Sequence, residues 1–295
     1  MIQFVRRYGV RIAIGIVVAV GLYESIAIWI PYQREQRIAR HLRSYGHTVE
    51  FADFGPNWIP LSIRDRLPLF KRIRLVHLVT GPKAAAELIP ELSSLPNLAV
   101  LNLSGTETDD DSLQYLADLT QLHDLFLHET KVTGTGLGQL TGLTRLSGLN
   151  LSNTPTTDAA IAHLKGMTQL QHLDLGYTLV TDRGLAHLEG LTNLVTLDLS
   201  KTKTSDQGLK SLQGLTQLYM LVLGRTDVSD VGLEHLASLT SLISLDLSHT
   251  FVTDAGLEHL KAMTKLQTLR LEESFVTTKG KTLLRKALPN CRRLD

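Results

Sequence analysis

Leucines along this chain recur at fixed offsets, and the whole set of offsets repeats every 24 residues. A typical unit begins at Leu95 and continues with Leu98, Leu101, Leu103, Thr106, Leu113 and Leu116. The third leucine of the unit returns without a slip at Leu125, Leu149, Leu173, Leu197, Leu221, Leu245 and Leu269. A period of about 20 to 29 residues with the spacing L-x-x-L-x-L is typical of a stacked repeat array. The pattern predicts eight in-register repeats over 95–284, preceded by a degenerate repeat at 70–94.

Each repeat is expected to contain one short strand. The two leucines of L-x-L, such as Leu173 and Leu175, alternate with period two, so both point inward and the residue between them points outward. A hydroxyl residue follows each strand, where it can satisfy backbone groups at an inward-turning corner. These residues are Thr106, Thr130, Thr154, Thr178, Thr202, Thr226, Thr250 and Ser274. Stacked strands of successive repeats are predicted to pair in parallel.

A second motif, V-T-D-x-G-L-x-x-L, predicts a helix on the other side of each repeat. In the copy from Val252, Thr253 is the expected N-cap and Asp254 favours the positive end of the helix dipole. Leu257 and Leu260 are expected to face inward. Aspartate recurs at the third position of this motif, which indicates a structural role and not a row of catalytic acids. The glycines, at 184, 208, 232 and 256, predict tight contact between successive helices.

The N-terminus contains an apolar run of nineteen residues at 12–30, interrupted only by Glu24. As a helix the run would be about 28 Å long, which is sufficient to span a bilayer. A basic tail at 1–11 precedes it, and Trp29 and Tyr32 lie where an interfacial aromatic belt is expected. We therefore predict a single-pass signal anchor at 12–32, contacting the lipid bilayer. A cleaved signal peptide, cut after the small residues Ser25 and Ala27, is the alternative.

The regions that flank the repeats are irregular. Residues 33–69 are predicted to form a juxtamembrane helix, with Ile38, Leu42 and Tyr45 on one side, followed by an N-terminal cap. Residues 285–295 are predicted to form a C-terminal cap, because the 24-residue phase is lost after Gly280. Arginines lie on both sides of the apolar run, so the positive-inside rule is nearly tied. A short basic tail before an apolar run favours a repeat domain on the exoplasmic or periplasmic side.

Composition excludes several classes of function. The formal net charge is +1, which gives no general attraction to nucleic acid. Cys291 is the single cysteine, so neither an internal disulfide nor a cysteine metal cluster is possible. Histidines recur on the predicted helices, at 163, 187, 235 and 259, but packed helices lie about 8 to 10 Å apart and zinc ligands need about 2.1 Å to one ion. We predict no metal site and no cofactor.

The repeat resembles the leucine-rich repeat proteins. Its motif T-x-V-T-D-x-G-L-x-x-L is similar to that of a helix-backed class, found in many bacterial members, whose repeats are about 24 residues long. The apolar segment, R-E-Q-R-I-A-R-H-L-R and G-P-N-W-I-P are similar to the membrane-anchored bacterial subset. The resemblance implies an α/β fold: a right-handed, curved solenoid with parallel strands on the concave face and short helices on the convex face. It also implies recognition of other macromolecules through the concave face.

Candidate binding residues are those predicted to point outward from the strands and their following turns. Aromatic, methionine and arginine side chains on an exposed surface favour protein recognition. The set comprises Phe126, Asp174, Tyr177, Asp198, Lys201, Tyr219, Met220, Arg225, Asp246 and His249. A cell-envelope glycan is an alternative ligand, and recruitment of substrates to a ubiquitin-ligase-like effector complex is an alternative role.

One enzymatic hypothesis remains among these residues. Asp174 and Asp198 lie on neighbouring strands about 4.8 Å apart, a separation that resembles that of glycosidase carboxylates. Tuned acid-base catalysis also requires a closed pocket and a reason for one carboxyl group to stay protonated. The sequence indicates neither, so we predict a non-enzymatic, membrane-anchored scaffold that binds a protein.

Overall fold

The computed structural model describes residues 30–53, 71–78 and 88–295. The chain divides into two compact units, residues 1–76 and 77–295. Apart from its last three positions, the predicted anchor at 12–32 lies outside the described residues, as do the basic tail and most of the predicted N-terminal cap. No helix in the described ranges has both the length and the hydropathy needed to cross a bilayer.

In the first unit, the described residues form one helix and two strands. Residues 30–44 are helical, and Gly46 ends the segment with a φ of 82°, a left-handed conformation that glycine adopts without strain. Strand β1 spans Thr48–Asp53 and strand β2 spans Lys71–His77. Ile38 and Leu42 are buried as predicted. Tyr45, predicted to share their side, is instead 50% exposed because it lies in the turn after the helix has ended.

A buried acid links the helix of this unit to β2. Glu35 is 2% exposed, and its Oε2 accepts a hydrogen bond of 2.7 Å from the backbone N–H of Ile73. The Arg72 Nε lies 3.8 Å from the other carboxylate oxygen. Burial raises the pKa of Glu35, and the bond from Ile73 and the charge of Arg72 oppose that increase.

The second unit is built on parallel strands that pair in sequence order. Neighbouring strands are in register at 24-residue spacing, so that Leu173 lies opposite Leu197 and Leu197 opposite Leu221. The inward leucines of the ladder are at most 2% exposed. The strands are β3 Val100–Asn102, β4 Asp124–Phe126, β5 Gly148–Asn150, β6 His172–Asp174, β7 Thr196–Asp198, β8 Met220–Val222, β9 Ser244–Asp246, β10 Thr268–Arg270 and β11 Arg293–Leu294.

Between the strands, each repeat contains a short α or 3-10 helix. Residues 88–92 are helical, and α-helices span Asp158–Ala162, Asp182–Leu185, Asp206–Leu209, Asp230–Leu236 and Thr278–Ala287. 3-10 helices span Asp111–Leu116, Thr135–Gly142, Ala186–Leu188, Lys210–Leu212 and Gly256–Leu260. The helical side is therefore less regular than predicted. A 3-10 helix rises about 2.0 Å per residue against 1.5 Å in an α-helix, so it returns the chain to the sheet with fewer residues.

The sheet continues into the predicted C-terminal cap. After the helix Thr278–Ala287, strand β11 pairs with β10, placing Leu294 opposite Leu269. Cys291 is buried beside this strand, and its Sγ lies 3.5 Å from the carbonyl oxygen of Arg293. Burial raises the pKa of the Cys291 thiol, in agreement with its expected role as a small core residue.

The corner threonines satisfy the backbone as predicted. The Oγ1 of Thr178 donates a hydrogen bond of 2.6 Å to the carbonyl oxygen of Leu175, and Thr226 does the same to Leu223 at 2.6 Å. Both threonines are buried. The hydroxyl therefore pairs a carbonyl group that the turn would otherwise leave buried without a donor.

The repeated aspartates connect each repeat to the next one. The two carboxylate oxygens of Asp206 accept hydrogen bonds from the N–H of Ser229 at 2.7 Å and from its Oγ at 2.6 Å. The same pair of hydrogen bonds joins Asp158 to Thr181, Asp182 to Ser205, Asp230 to Thr253 and Asp254 to Thr277. In addition, Ser229 accepts from the N–H of Val231 at 3.4 Å, which is the predicted N-cap contact.

The repeated glycines leave space for these aspartates. A Cβ added at Gly184 would lie 2.5 Å from the Oδ1 of Asp158, and one added at Gly232 would overlap the Oδ1 of Asp206. The glycine therefore contacts the first residue of the preceding helix, which confirms the predicted tight contact between successive helices and identifies the carboxylate as the group that needs the space. One pair of consecutive repeats departs from the rule: Gly134 replaces the aspartate of one repeat, and Ala160 replaces the glycine of the next.

Candidate functional site

The outward side chains of the strands form one surface, which we call the sheet face. It comprises the first and third residues of each strand from β3 to β10 and the second and third residues that follow each strand. Strand pairing aligns these positions in columns, so that Asp174 lies opposite Asp198 and Thr196 opposite Met220. Successive residues of a strand point to opposite faces, and the buried leucines between these positions point away from the sheet face.

The third residue after each strand adopts a left-handed backbone conformation. The φ angles are 59° at Tyr177, 53° at Lys201, 62° at Arg225 and 54° at His249. The N–H of Tyr177 donates to the carbonyl oxygen of Ser200 at 2.7 Å, and the N–H of Lys201 donates to Gly224 at 2.8 Å. The conformation therefore lets the hydrogen-bond ladder continue past the strands, at a conformational cost on the order of 1 kcal/mol for each non-glycine residue.

The aspartates of the third strand position stabilise this turn. The Oδ1 of Asp198 accepts a hydrogen bond from the N–H of Ser200 at 2.7 Å, and that of Asp246 accepts from Ser248 at 2.9 Å. Asn150 makes the same bond to Ser152 at 2.9 Å. An amide oxygen therefore serves the turn as well as a carboxylate does, and the turn does not require the negative charge.

A cavity of about 370 Å³ lies on the sheet face across strands β4 to β8. Gly148 is part of its lining, and there the face lacks a side chain and the carboxylate of Asp124 occupies the space that a Cβ would take. We call it the acidic cavity. Its lining consists of Asp124, Phe126, Gly148, Leu149, Asn150, His172, Leu173, Asp174, Thr196, Leu197, Asp198, Met220 and Val222.

The acidic cavity combines three carboxylates with apolar walls, and no Lys or Arg is among the described residues that line it. The two oxygens of Asp174 accept hydrogen bonds from the Gly176 N–H at 3.0 Å and from the Asn150 side-chain amide at 2.9 Å. Burial raises the pKa of Asp174, and the neighbouring charge of Asp198 adds to the increase. From the sequence we expected no reason for either carboxyl group of this pair to stay protonated. The raised pKa of Asp174 corrects that expectation.

A second cavity of about 280 Å³ adjoins the first and shares Val222 with it. Here the charges are balanced by ion pairs. The Nη1 of Arg270 lies 3.1 Å from the Oδ2 of Asp246, and its Nε lies 3.4 Å from Glu272. Arg225 contacts the Nε2 of His249 at 3.2 Å. This second cavity therefore carries charged side chains of both signs. The acidic cavity, in contrast, has a marked excess of negative charge.

The structure divides the predicted binding residues into two groups. Phe126, Asp174, Asp198 and Met220 line the acidic cavity, whereas Tyr177, Arg225, Asp246 and His249 line the second cavity. Lys201 and Tyr219 line neither of these two cavities. The Nζ of Lys201 lies 5.0 Å from the centroid of the Tyr177 ring, within cation–π range, and Tyr219 is 49% exposed.

The sequence prediction included the first position of a strand only at Met220. Asp124, His172 and Thr196 also line the acidic cavity from that position, and the Nδ1 of His172 lies 3.0 Å from the Oγ1 of Thr196. The signal was available, because a residue two positions before an outward residue of a strand points to the same side.

The chemistry of the sheet face fits binding better than catalysis. Both oxygens of Asp174 and one oxygen of Asp198 are held by hydrogen bonds that fix the turn and the neighbouring side chain. Over residues 30–53, 71–78 and 88–295, no group of three or more His, Cys, Asp or Glu side chains is placed to hold a metal ion. The available features are therefore unpaired negative charge, exposed aromatic rings and two adjoining cavities.

A parallel strand ladder with inward leucines, short helices on the return side and a 24-residue register defines the leucine-rich repeat class of solenoid. Among solved structures, the chain is similar to the crystal structure of an internalin C2 from Listeria monocytogenes, with 26% sequence identity and a TM-score of 0.54. The match covers 68% of this chain and 86% of the internalin chain. No protein-family model matches the chain, and no curated protein sequence matches it.

Proposed function

We propose that this chain is a non-enzymatic scaffold that binds a protein through the sheet face, and that residues 12–32 anchor it in a membrane. The observation that supports the binding role is that the inward and outward residues of each strand serve different purposes. The leucines and corner threonines are fixed by the core, while the outward positions differ from repeat to repeat, as at Phe126, Asp174 and Met220. A rigid frame with variable exposed side chains is the usual architecture of a recognition surface.

Exposed apolar side chains on the sheet face also support a protein ligand. Met220 is 39% exposed, and Tyr177 and Tyr219 are each 49% exposed. Aromatic and methionine side chains are enriched at the centres of protein interfaces, where their burial provides much of the binding free energy. The membrane anchor is proposed from the length and hydropathy of residues 12–30 alone.

Site-specific photo-crosslinking tests the binding role in the native cell. A photoreactive phenylalanine analogue replaces Met220 on the sheet face, and in a matched variant it replaces Val231, which is 63% exposed on the helix Asp230–Leu236. We expect a discrete crosslinked protein from position 220 and none from position 231. Crosslinking from position 231 alone, or from neither position, would contradict binding through the sheet face. Alkaline extraction of membranes tests the anchor, because a spanning chain stays in the pellet.

A further inference from the structure

We propose that the acidic cavity is a subsite for an arginine side chain of the bound protein. This inference rests on the proposed function, since it specifies which group of the partner enters the sheet face. Three features support it: the cavity itself, its uncompensated negative charge and its apolar walls.

The charge of the acidic cavity favours a cationic occupant. Asp124, Asp174 and Asp198 contribute three carboxylates, and the described lining contains no Lys or Arg, although the whole chain has a formal net charge of +1. Asp174 and Asp198 are direct neighbours in the strand register, so their charges repel one another in the free protein. A cation between them removes that repulsion and adds attraction.

The hydrogen-bonding capacity of the carboxylates is only partly used within the chain. Asp198 has its Oδ1 on the N–H of Ser200 at 2.7 Å, and its Oδ2 has no hydrogen-bond donor among the described residues. Asp124 extends over the vacant position of Gly148 and receives no side-chain hydrogen bond from the described residues. Asp124 on β4 and Asp198 on β7 are three strand spacings, about 14 Å, apart, so one guanidinium group can reach only one of them. Its five N–H donors in a planar fork suit Asp198 together with the neighbouring Asp174.

The walls of the acidic cavity select a guanidinium over an ammonium group. Met220 lies on β8, the strand next to that of Asp198, and is 39% exposed, whereas Phe126 lies on β4, two strands from Asp174. A guanidinium is planar and weakly hydrated, and its three-carbon stem can pack on the thioether of Met220. The ammonium group of lysine is compact and strongly hydrated, so it loses more solvation in such a site.

The size of the acidic cavity is also suitable. A volume of about 370 Å³ falls near the lower end of the range of about 300 to 1,000 Å³ found for binding pockets. It has room for one long side chain with part of the backbone that carries it.

Methyl NMR spectroscopy of the full-length chain in mild detergent tests the proposal directly. The chain has four methionines, and labelling them with ¹³C-methyl places one reporter, Met220, on the cavity wall and two, Met167 and Met263, in the core. The probes are Nα-acetyl-arginine amide, its uncharged analogue Nα-acetyl-citrulline amide and Nα-acetyl-lysine amide. We expect the arginine probe to shift the Met220 resonance saturably at millimolar concentration while the core resonances stay unchanged. Citrulline is expected to bind about tenfold more weakly or worse, because it lacks charge-assisted hydrogen bonds.

The matched variants are Asp198→Asn and Asp246→Asn. Asparagine keeps the oxygen that holds the turn, as Asn102 and Asn150 do in the same column, so both variants should fold. Asp198→Asn should weaken arginine binding about tenfold, whereas Asp246→Asn removes the same charge outside the acidic cavity and should have little effect.

A Met220 resonance that fails to shift, or that shifts equally with arginine and citrulline, would show that the cavity does not recognise a guanidinium. The same conclusion would follow if lysine bound as tightly as arginine. The photo-crosslinking experiment distinguishes the two proposals. If a partner crosslinks at position 220 but the arginine probe does not bind, only the arginine subsite is wrong.

Discussion

Replacement of Gly232 by alanine should destabilise the repeat array, although alanine is a better helix former than glycine. The added Cβ would overlap the Oδ1 of Asp206 and lie 3.0 Å from the Cδ1 of Leu209. The leucine methyl group can rotate away. The carboxylate cannot move freely, because its two oxygens hold the N–H and the Oγ of Ser229 at 2.7 and 2.6 Å.

The expected loss follows from those two bonds. A hydrogen bond to a charged group contributes about 1.5 to 3 kcal/mol, and partial exposure of this site favours the lower limit, so displacing the carboxylate costs about 3 kcal/mol. Alanine regains up to about 1 kcal/mol through its helix propensity. The net decrease in the free energy of unfolding is then about 2 kcal/mol. For a domain of this size, that corresponds to a decrease of about 4 to 8 °C in Tm.

Thermal unfolding followed by circular dichroism measures the change, with Gly190→Ala as the matched control. A Cβ at Gly190 meets no atom within 4 Å, so this variant should stay within about 0.5 kcal/mol of the parent chain. The Asp206→Ala variant completes a double-mutant cycle. Without the carboxylate, Gly232→Ala should become neutral or stabilising, which gives a coupling energy of about 2 to 3 kcal/mol.

The chain itself contains a natural counterpart of the double variant in this cycle. Gly134 stands where the other repeats have aspartate, and Ala160 stands where the next repeat would have glycine. The cap residue Thr157 accordingly has no aspartate opposite it and makes no side-chain cap bond. If Gly232→Ala lowered Tm no more than Gly190→Ala, or by the same amount with and without Asp206, the steric explanation for the glycine would be refuted.

Three further outcomes follow from the structure. Gly105 has a φ of 68° and open space around it, so Gly105→Ala should lower the free energy of unfolding by about 1 kcal/mol through backbone strain alone, measured by urea unfolding. The folded-state pKa of Asp174 is raised, so its ionised form costs stability above that pKa; Asp174→Asn should raise Tm at neutral pH, and the gain should fade as pH falls towards the ordinary aspartate pKa. The purified chain should release no reducing sugar from cell-wall polysaccharide; release that is abolished by Asp174→Asn with Asp198→Asn would overturn the non-enzymatic assignment.

The sheet and its core could be predicted from the sequence because both depend on one periodic variable. Leu197 is buried in the ladder and Thr202 at the corner, as the 24-residue spacing indicates. A stacked array converts sequence period directly into register, so an offset of 24 residues becomes a neighbouring strand. The helical side was less predictable. Its short segments divide between α and 3-10 geometry according to local turns, to which the leucine spacing is insensitive.

The sequence predicted only part of the role of the repeated aspartates. Asp206 lies in the first turn of its own helix, as predicted, and its carboxylate also binds Ser229 in the next repeat. A contact between residues 23 positions apart becomes visible only when the stacking register is used to place the helices as well as the strands. The joint change at Gly134 and Ala160 was the one signal in the sequence that could have indicated this pairing.

On the sheet face, the third residue of each strand holds the following turn and is also proposed to contact the ligand. The two roles differ in whether they need a negative charge. The turn needs an oxygen acceptor, which Asn150 supplies without charge. A carboxylate in this column therefore adds a negative charge that the fold does not use. At Asp246 the charge is matched by Arg270 at 3.1 Å. At Asp174 and Asp198 no Lys or Arg of the cavity lining matches it, and the burial of Asp174 makes the charge costly. A charge that lowers stability and that no Lys or Arg of the lining matches is best explained by a partner that supplies the cation.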